Sequence, residues 1–304
     1  MGARHEQGHR ESTPGRTAYW QAWLPDGPAR AIVVIVHGIH EHSGRYAHVG
    51  HRLATAGFAA YAADHRGHGR SGGKRANIER MALVVDDLSS FVRFAAQRHT
   101  GLPVFMVGHS LGGLIALHWV TEPHWATEPH WVTEPHWVTE PGGRLDGLVV
   151  SGPAVEVLVG SALARRLAGV LSALVPNLRV SSINADWISR DPEVVRAYRE
   201  DPLVDHGRIK ARTGAEILAT IESLPARLPQ LSVPLLLLHG TEDRICAPTS
   251  SIMVHDAVSS PDKTLRRYQG LYHELFNEPE REAILTDLIS WLNQRLRPVT
   301  HSAG

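Results

Sequence analysis

Apolar residues along this chain follow two rhythms. Five short runs are apolar almost without interruption and end in glycine-bearing turns: AIVVIVHG (31–38), FAAYAADHRGHG (58–69), PVFMVGHS (103–110), GLVVSGPAV (147–155) and PLLLLHG (234–240). Such runs predict strands buried on both faces, as in a parallel sheet covered by helices. Between and after them, residues 48–56, 81–99, 111–120 and 280–296 space their apolar side chains as helices do. AYWQAWLPDG (18–27) predicts an antiparallel edge strand and turn, and TLRRYQG (264–270) a late strand. Alternating strand and helix predicts one doubly wound α/β domain, with residues 17–154 and 232–297 as its core.

The alternation breaks between about Val155 and Leu231. SALARRLAGVLSALVP (161–176) places Leu163, Leu167, Val170, Leu171 and Leu174 on one helical face. An ordinary core helix would read the same way. The preferred reading is a helical cap, residues 155–231, over the C-terminal edge of the sheet, where open α/β sheets bind ligands. A wall of its Leu and Val around a tunnel would suit a long alkyl chain, at about 0.8 kcal/mol per buried CH₂.

A second irregularity is HWVTEP-HWATEP-HWVTEP-HWVTEP, four near-identical hexapeptides at 118–141. Proline at every sixth position forbids one long helix, so only the first copy can extend the helix beginning at Leu111. Removing three copies leaves LGGLIALHWVTEPGGRLDGLVVSGP, an uninterrupted helix–turn–strand connection. The array is therefore read as a duplicated surface loop inserted in the core, in preference to a histidine metal array or a tryptophan lipid-contact loop.

Composition narrows the functional classes. Lys+Arg and Asp+Glu both number 31, so no basic field points to nucleic acid. Arginine far outnumbers lysine, which reads as the codon bias of a GC-rich, bacterial genome. A single cysteine, Cys246, excludes an intramolecular disulfide. MGARHEQGHRESTPG has no apolar core and so does not read as a Sec signal; residues 1–16 are expected to be a disordered tail. No run approaches the roughly 20 apolar residues of a membrane span. The expectation is a soluble, cytoplasmic protein whose membrane contact, if any, is peripheral and through the cap.

The chemistry centres on Gly108-His109-Ser110-Leu111-Gly112, a G-x-S-x-G between an apolar strand and a helix. There the glycines permit a sharp turn that lifts the serine hydroxyl above the sheet edge. Serine needs a base, and the base an orienting acid, in the chain order Ser, acid, His. PLLLLHGTEDRIC supplies Asp243, with Glu242 as neighbouring competitor, and GLYHELFNEP supplies His273. Oxyanion stabilisation needs two backbone N–H groups. Leu111 follows the nucleophile, and Ile39 follows the His-Gly that opens HGIHEHSGRY (37–46). The histidines of HGIHEH and DHRGH do not have the spacing of the H-E-x-x-H metal helix, so neither metal nor organic cofactor is expected.

Together HGIHEHSGRY, DHRGHGRSGG, GHSLGG, LLLLHGTEDRIC and GLYHELFNEP resemble the monoacylglycerol lipase family, particularly its bacterial members. The resemblance runs from about Ala18 to Leu296 and includes ISRDPEVVRAYREDPLVDHGRI (188–209). It implies an α/β-hydrolase fold with the cap inserted after the sixth strand. It also implies Ser110 as nucleophile, Asp243 as acid, His273 as base, and Ile39 and Leu111 as oxyanion donors. Glu41 and Arg45, with His109 beside the nucleophile, fall where the family shapes the pocket end that holds the glycerol. Cys246 matches a cysteine near the site in some relatives, although a small buried hydrophobe would look the same. The expected substrate is a monoacylglycerol or similar lipid ester. A lysophospholipase, a general carboxylesterase and a non-catalytic binding module on the same fold are the alternatives.

Overall fold

The apolar runs become the interior strands of one twisted sheet. The structure, a computed structural model, describes residues 3–13, 15–122, 145–156 and 167–296. Its strands are β1 (Arg4–Thr13), β2 (Arg16–Leu24), β3 (Ala31–Val36), β4 (Phe58–Ala63), β5 (Val104–His109), β6 (Leu145–Ser151), β7 (Arg179–Ser181), β8 (Ile209–Lys210), β9 (Leu235–Gly240) and β10 (Lys263–Tyr268). Eight of them form a sheet in the order β1-β2-β4-β3-β5-β6-β9-β10, parallel from β4 to β10 and antiparallel at β1 and β2. Every residue of β3, β5 and β9 is buried, as strands covered on both faces require.

The helices are α1 (Ala47–Thr55), α2 (Met81–Arg98), α3 (Leu111–Val120), α4 (Ala168–Leu174), α5 (Pro192–Glu200), α6 (Ala211–Ser223), α7 (Thr249–Ala257) and α8 (Arg281–Asn293). Val49 and Leu53 of α1 and Ile284 and Leu288 of α8 share one core with Val33 and Ile35. Val84 and Leu88 of α2, Leu114 of α3 and Val254 of α7 share the other with Val34 and Leu237. Alternate residues of β3 thus feed opposite cores, the period of two that a strand imposes.

Between β6 and β9 the chain leaves the sheet and forms α4, α5, α6 and the small β7–β8 pair. Local chemistry sets α5: the Asp191 carboxylate accepts the Glu193 N–H at 2.9 Å, and Pro192 occupies the first turn. The stripe expected of 161–176 is described only in part, since residues 157–166 lie outside the described ones. Leu167, Val170 and Leu174 are 42%, 56% and 76% exposed. The seven-residue α4 leans on α6 with its other side, where Ser172 is buried.

The disordered tail expected for residues 1–16 is corrected over most of its length. Arg4–Thr13 is β1, paired antiparallel with β2 from Arg4↔Leu24 to Thr13↔Arg16. So polar a segment can be a strand because an edge needs one hydrogen-bonding neighbour and can expose its side chains. Its polar groups are also used: Tyr19 donates to Gln7, Arg10 to Ser90 and Arg98 to Glu6. Most of the hexapeptide array, residues 123–141, lies outside the described residues. Its first copy begins inside α3, which ends at Val120. Among the described residues no helix is long and apolar enough to cross a membrane.

Candidate active site

Ser110 is the hinge between β5 and α3, with φ +54° and ψ −118°. Positive φ strains a side-chain-bearing residue by about 1–3 kcal/mol, so its surroundings must hold it. They do so through the main chain. The Ser110 N–H donates to Ser151 O at 2.9 Å, and its carbonyl accepts from the N–H of Leu114 and of Ala154, both at 3.1 Å. A Cβ on Gly112 would lie 2.1 Å from Val36 O. Only glycine there lets α3 close onto β3 and keep the turn sharp.

Asp243 and His273 reach the same sheet edge from the ends of β9 and β10. Asp243 Oδ2 accepts from His273 Nδ1 at 2.7 Å, while Oδ1 accepts the N–H groups of Ile245 at 2.8 Å and Cys246 at 2.9 Å. Glu242, the competitor by sequence, is exposed. Burial would raise the Asp243 pKa, but the charge of His273 and hydrogen bonds from His239 and His273 outweigh it and hold the carboxyl well below its ordinary range. For His273, burial favours the neutral ring, yet Asp243, helped by Glu274 and Glu41, raises its pKa above 6.5. The His109 ring lies 4.7 Å from that of His273; burial, then the charge of His273, lowers its pKa to about 3.

Ser110 and His273 line one cavity, with Ile39 and Glu41 at its wall and Ile183, Ile188 and Tyr198 roofing it from the β6–β9 excursion. Leu111 turns its side chain into the core. Its backbone belongs to the first turn of α3, where N–H groups have no helical partner. Histidines interlock the Ile39 loop. His37 Nδ1 contacts Gly38 O at 2.7 Å, His37 Nε2 accepts the His65 N–H at 2.9 Å, and His65 Nε2 donates to His37 O at 3.0 Å. Among the described residues no group of three or more His, Cys, Asp or Glu is placed to hold a metal ion.

Arg45 stands behind the cavity rather than in its lining. It donates to Glu41 Oε2 at 2.8 Å and, through both terminal nitrogens, to Glu274 at 2.7 Å. Glu41 Oε1 accepts from the Gly38 N–H at 2.6 Å and the Tyr46 hydroxyl at 2.7 Å. All three charged side chains are at least nine-tenths buried. Burial is offset by Arg45 at Glu274, which is held low, and prevails at Glu41, which is raised. The Tyr198 ring covers the Arg45 guanidinium at 4.9 Å. Neither Glu274 nor Tyr198 was selected from sequence. The only signal for Glu274 was its position beside His273. Cys246 is buried beside Asp243, and burial pushes its thiol pKa well up.

Comparison with known proteins gives the family. A family model described as serine aminopeptidase, S33, matches residues 27–280. A protein of Mycolicibacterium smegmatis named monoacylglycerol lipase is 41% identical over 278 residues, covering 91% of this chain and 93% of that protein. Human monoglyceride lipase is 32% identical over 94% of this chain and 90% of its own length. Among solved structures, the monoacylglycerol lipase of Paleococcus ferrophilus superposes with a TM-score of 0.76 at 30% identity, covering 97% of this chain and all of that one.

Proposed function

The chain belongs to the monoacylglycerol lipase family of α/β-hydrolases, and from that premise we propose that it hydrolyses monoacylglycerols to fatty acid and glycerol through Ser110, Asp243 and His273. The observation that carries the reading is the buried 2.7 Å contact of Asp243 with His273 Nδ1, with His273 and Ser110 lining one cavity. His273 Nε2 takes the hydroxyl proton as Ser110 Oγ attacks the acyl carbon. The N–H groups of Ile39 and Leu111 receive the oxyanion. His273 then returns the proton to the departing glycerol oxygen. Water, deprotonated by His273 in its turn, releases the fatty acid. Asp243 holds the ring's tautomer and stabilises its cation. Turnover needs a neutral His273, so rate is lost as pH falls through a pKa raised above 6.5.

Glu41, kept in place by Arg45, and His109 are assigned to the polar end of the substrate. Residues 155–231 are assigned as the cap. The exposed Leu167, Val170 and Leu174 support peripheral contact with the lipid surface that supplies the substrate.

The test is a hydrolysis panel of mono-, di- and triacylglycerols and lysophospholipids, with acyl chains from C2 to C10. Monoacylglycerols should lead, and rates should rise with chain length. Ser110→Ala should lose turnover on the order of 10⁶-fold; retained ester hydrolysis in that variant would end the reading. With substrate presented in vesicles, Val170→Ser with Leu174→Ser should slow turnover there and leave dispersed short esters unaffected.

A further inference from the structure

Asp243 has a second histidine. His239, the penultimate residue of β9, is fully buried, and its Nε2 lies 3.1 Å from Asp243 Oδ2, the same oxygen that receives His273 Nδ1. Among the described residues, the only other atom Nε2 meets is the carbonyl oxygen of Cys246, at 3.3 Å. Both neighbours are acceptors here, so Nε2 must carry a hydrogen. The opposite nitrogen, Nδ1, is tied to the Ser251 hydroxyl at 2.7 Å, and Ser251 is itself fully buried. The ring is thus fixed at both ends.

We infer that His239 is a positioning residue of the triad: its Nε2–H shares Asp243 Oδ2 with His273, which fixes the carboxylate and limits its pull on the base. The inference rests on Asp243 being the catalytic acid. Its physical ground is the charge balance. Among the described residues no Lys or Arg pairs with the buried Asp243 side chain, so while His273 is neutral N–H dipoles must carry the anion. Two of them, from Ile245 and Cys246, serve Oδ1; on Oδ2, among the described residues, the support besides the base is His239. Without that donor the whole lone-pair density of Oδ2 is offered to His273. The imidazolium becomes more stable and the base binds its proton at higher pH.

The other groups facing His273 are Glu274, Glu41 and His109, with Arg45 acting through the two acids. None of these contacts His239, so a substitution there isolates one interaction.

Two amides divide the ring's functions. The amide of His239→Gln reaches the place of Nε2 and keeps a donor on Asp243. His239→Asn reaches only the place of Nδ1, so it keeps the Ser251 contact and loses the donor. In full-length enzyme, His239→Asn should move the acid limb of kcat up by about half to one pH unit, the scale of one charge-assisted hydrogen bond partly lost. KM should change less than kcat. His239→Gln should restore the limb. An unmoved limb in a folded His239→Asn, or the same displacement in both variants, overturns the proposal. Nitrogen-15 spectra of the wild-type histidines decide the matter whether or not the variants fold. His239 Nε2 should remain protonated across the pH range of activity, and an unprotonated Nε2 refutes the donor. Asp243→Asn separates this proposal from the one beneath it. If that variant keeps full turnover, the triad assignment itself is wrong. If it is inactive while His239→Asn behaves as wild type, only the role of His239 fails.

Discussion

Arg45 sets one positive charge between two carboxylates, so the buried group it joins carries a net charge of −1 when all three are ionised. Buried ion pairs contribute little net stability as pairs, but removing one partner strands the other, at a cost of about 3–5 kcal/mol. Arg45→Met should therefore destabilise the fold on that scale in urea denaturation. Arg45→Met with Glu274→Met should recover part of the loss, because one of the two carboxylates that Arg45 leaves stranded goes with it, while Glu41 stays buried. If the double variant is no more stable than the single one, the cost lies in packing around Tyr198 and not in charge. Sequence reading found Glu41 and Arg45, which share one loop and one motif. It missed Glu274, because the contact spans a sequence separation of 229 and no local pattern encodes it. The proposed triad was legible for the opposite reason. Each member follows its own strand, and parallel strands deliver their C-terminal ends to one edge.

Among the elements, α3 shows how the hexapeptide array is anchored. The first copy is spent on the fold. Trp119 is 4% exposed and donates through Nε1 to Ser89 at 2.8 Å, and Glu122 pairs with His118 at 2.8 Å and Arg227 at 3.0 Å. Copies of the same letters cannot all occupy that one niche, so the first hexapeptide is structural whatever the others do. Trp119→Ala should cost about 3–5 kcal/mol in chemical denaturation. Deleting residues 124–141, which keeps that copy, should leave the midpoint and kcat close to wild type. Equal losses in the two variants would contradict this division. Periodicity marked most elements to within a few residues, and its errors have physical causes. In FAAYAADHRGHG the strand β4 stops at Ala63 and the glycine-bearing turn begins at Asp64, whose carboxylate serves loop N–H groups at Ser43 and Arg70. β1 was missed because an edge strand needs no apolar face. The α4 stripe shows the limit of helical spacing, which identifies an apolar face without saying whether protein or water covers it: Leu167, Val170 and Leu174 are exposed.

The histidines give the whole molecule a pH dependence that no single site would. His37, His65 and His68 are buried around the loop that carries Ile39, His40 lies in that loop and His109 beside His273. Burial lowers every one of their pKa values from 6.5, to about 4 at His40 and about 3 at His65 and His109. A histidine depressed in the folded state binds its proton more readily when unfolded. Its contribution is present above pH 6.5 and is lost as pH falls toward the folded value, at about 1.4 kcal/mol per unit per group. His273 has the opposite sign. Its raised pKa favours the folded state most below 6.5 and loses that contribution as pH rises through the folded value, so it adds no slope over the interval in which the five weaken. Carboxylates held low, such as Glu122 at about 2, join the loss only below the ordinary glutamate range near 4.5. Melting temperature should therefore fall steeply between pH 6.5 and 4, before the acids begin to titrate. His40 offers the cleanest check, since its φ of +67° is one that asparagine tolerates. His40→Asn should flatten the slope of stability against pH over that interval and leave it unchanged above 7. A wild-type melting temperature that stays level from pH 7.5 to 5 would mean that these rings accept protons without unfolding the loop they hold.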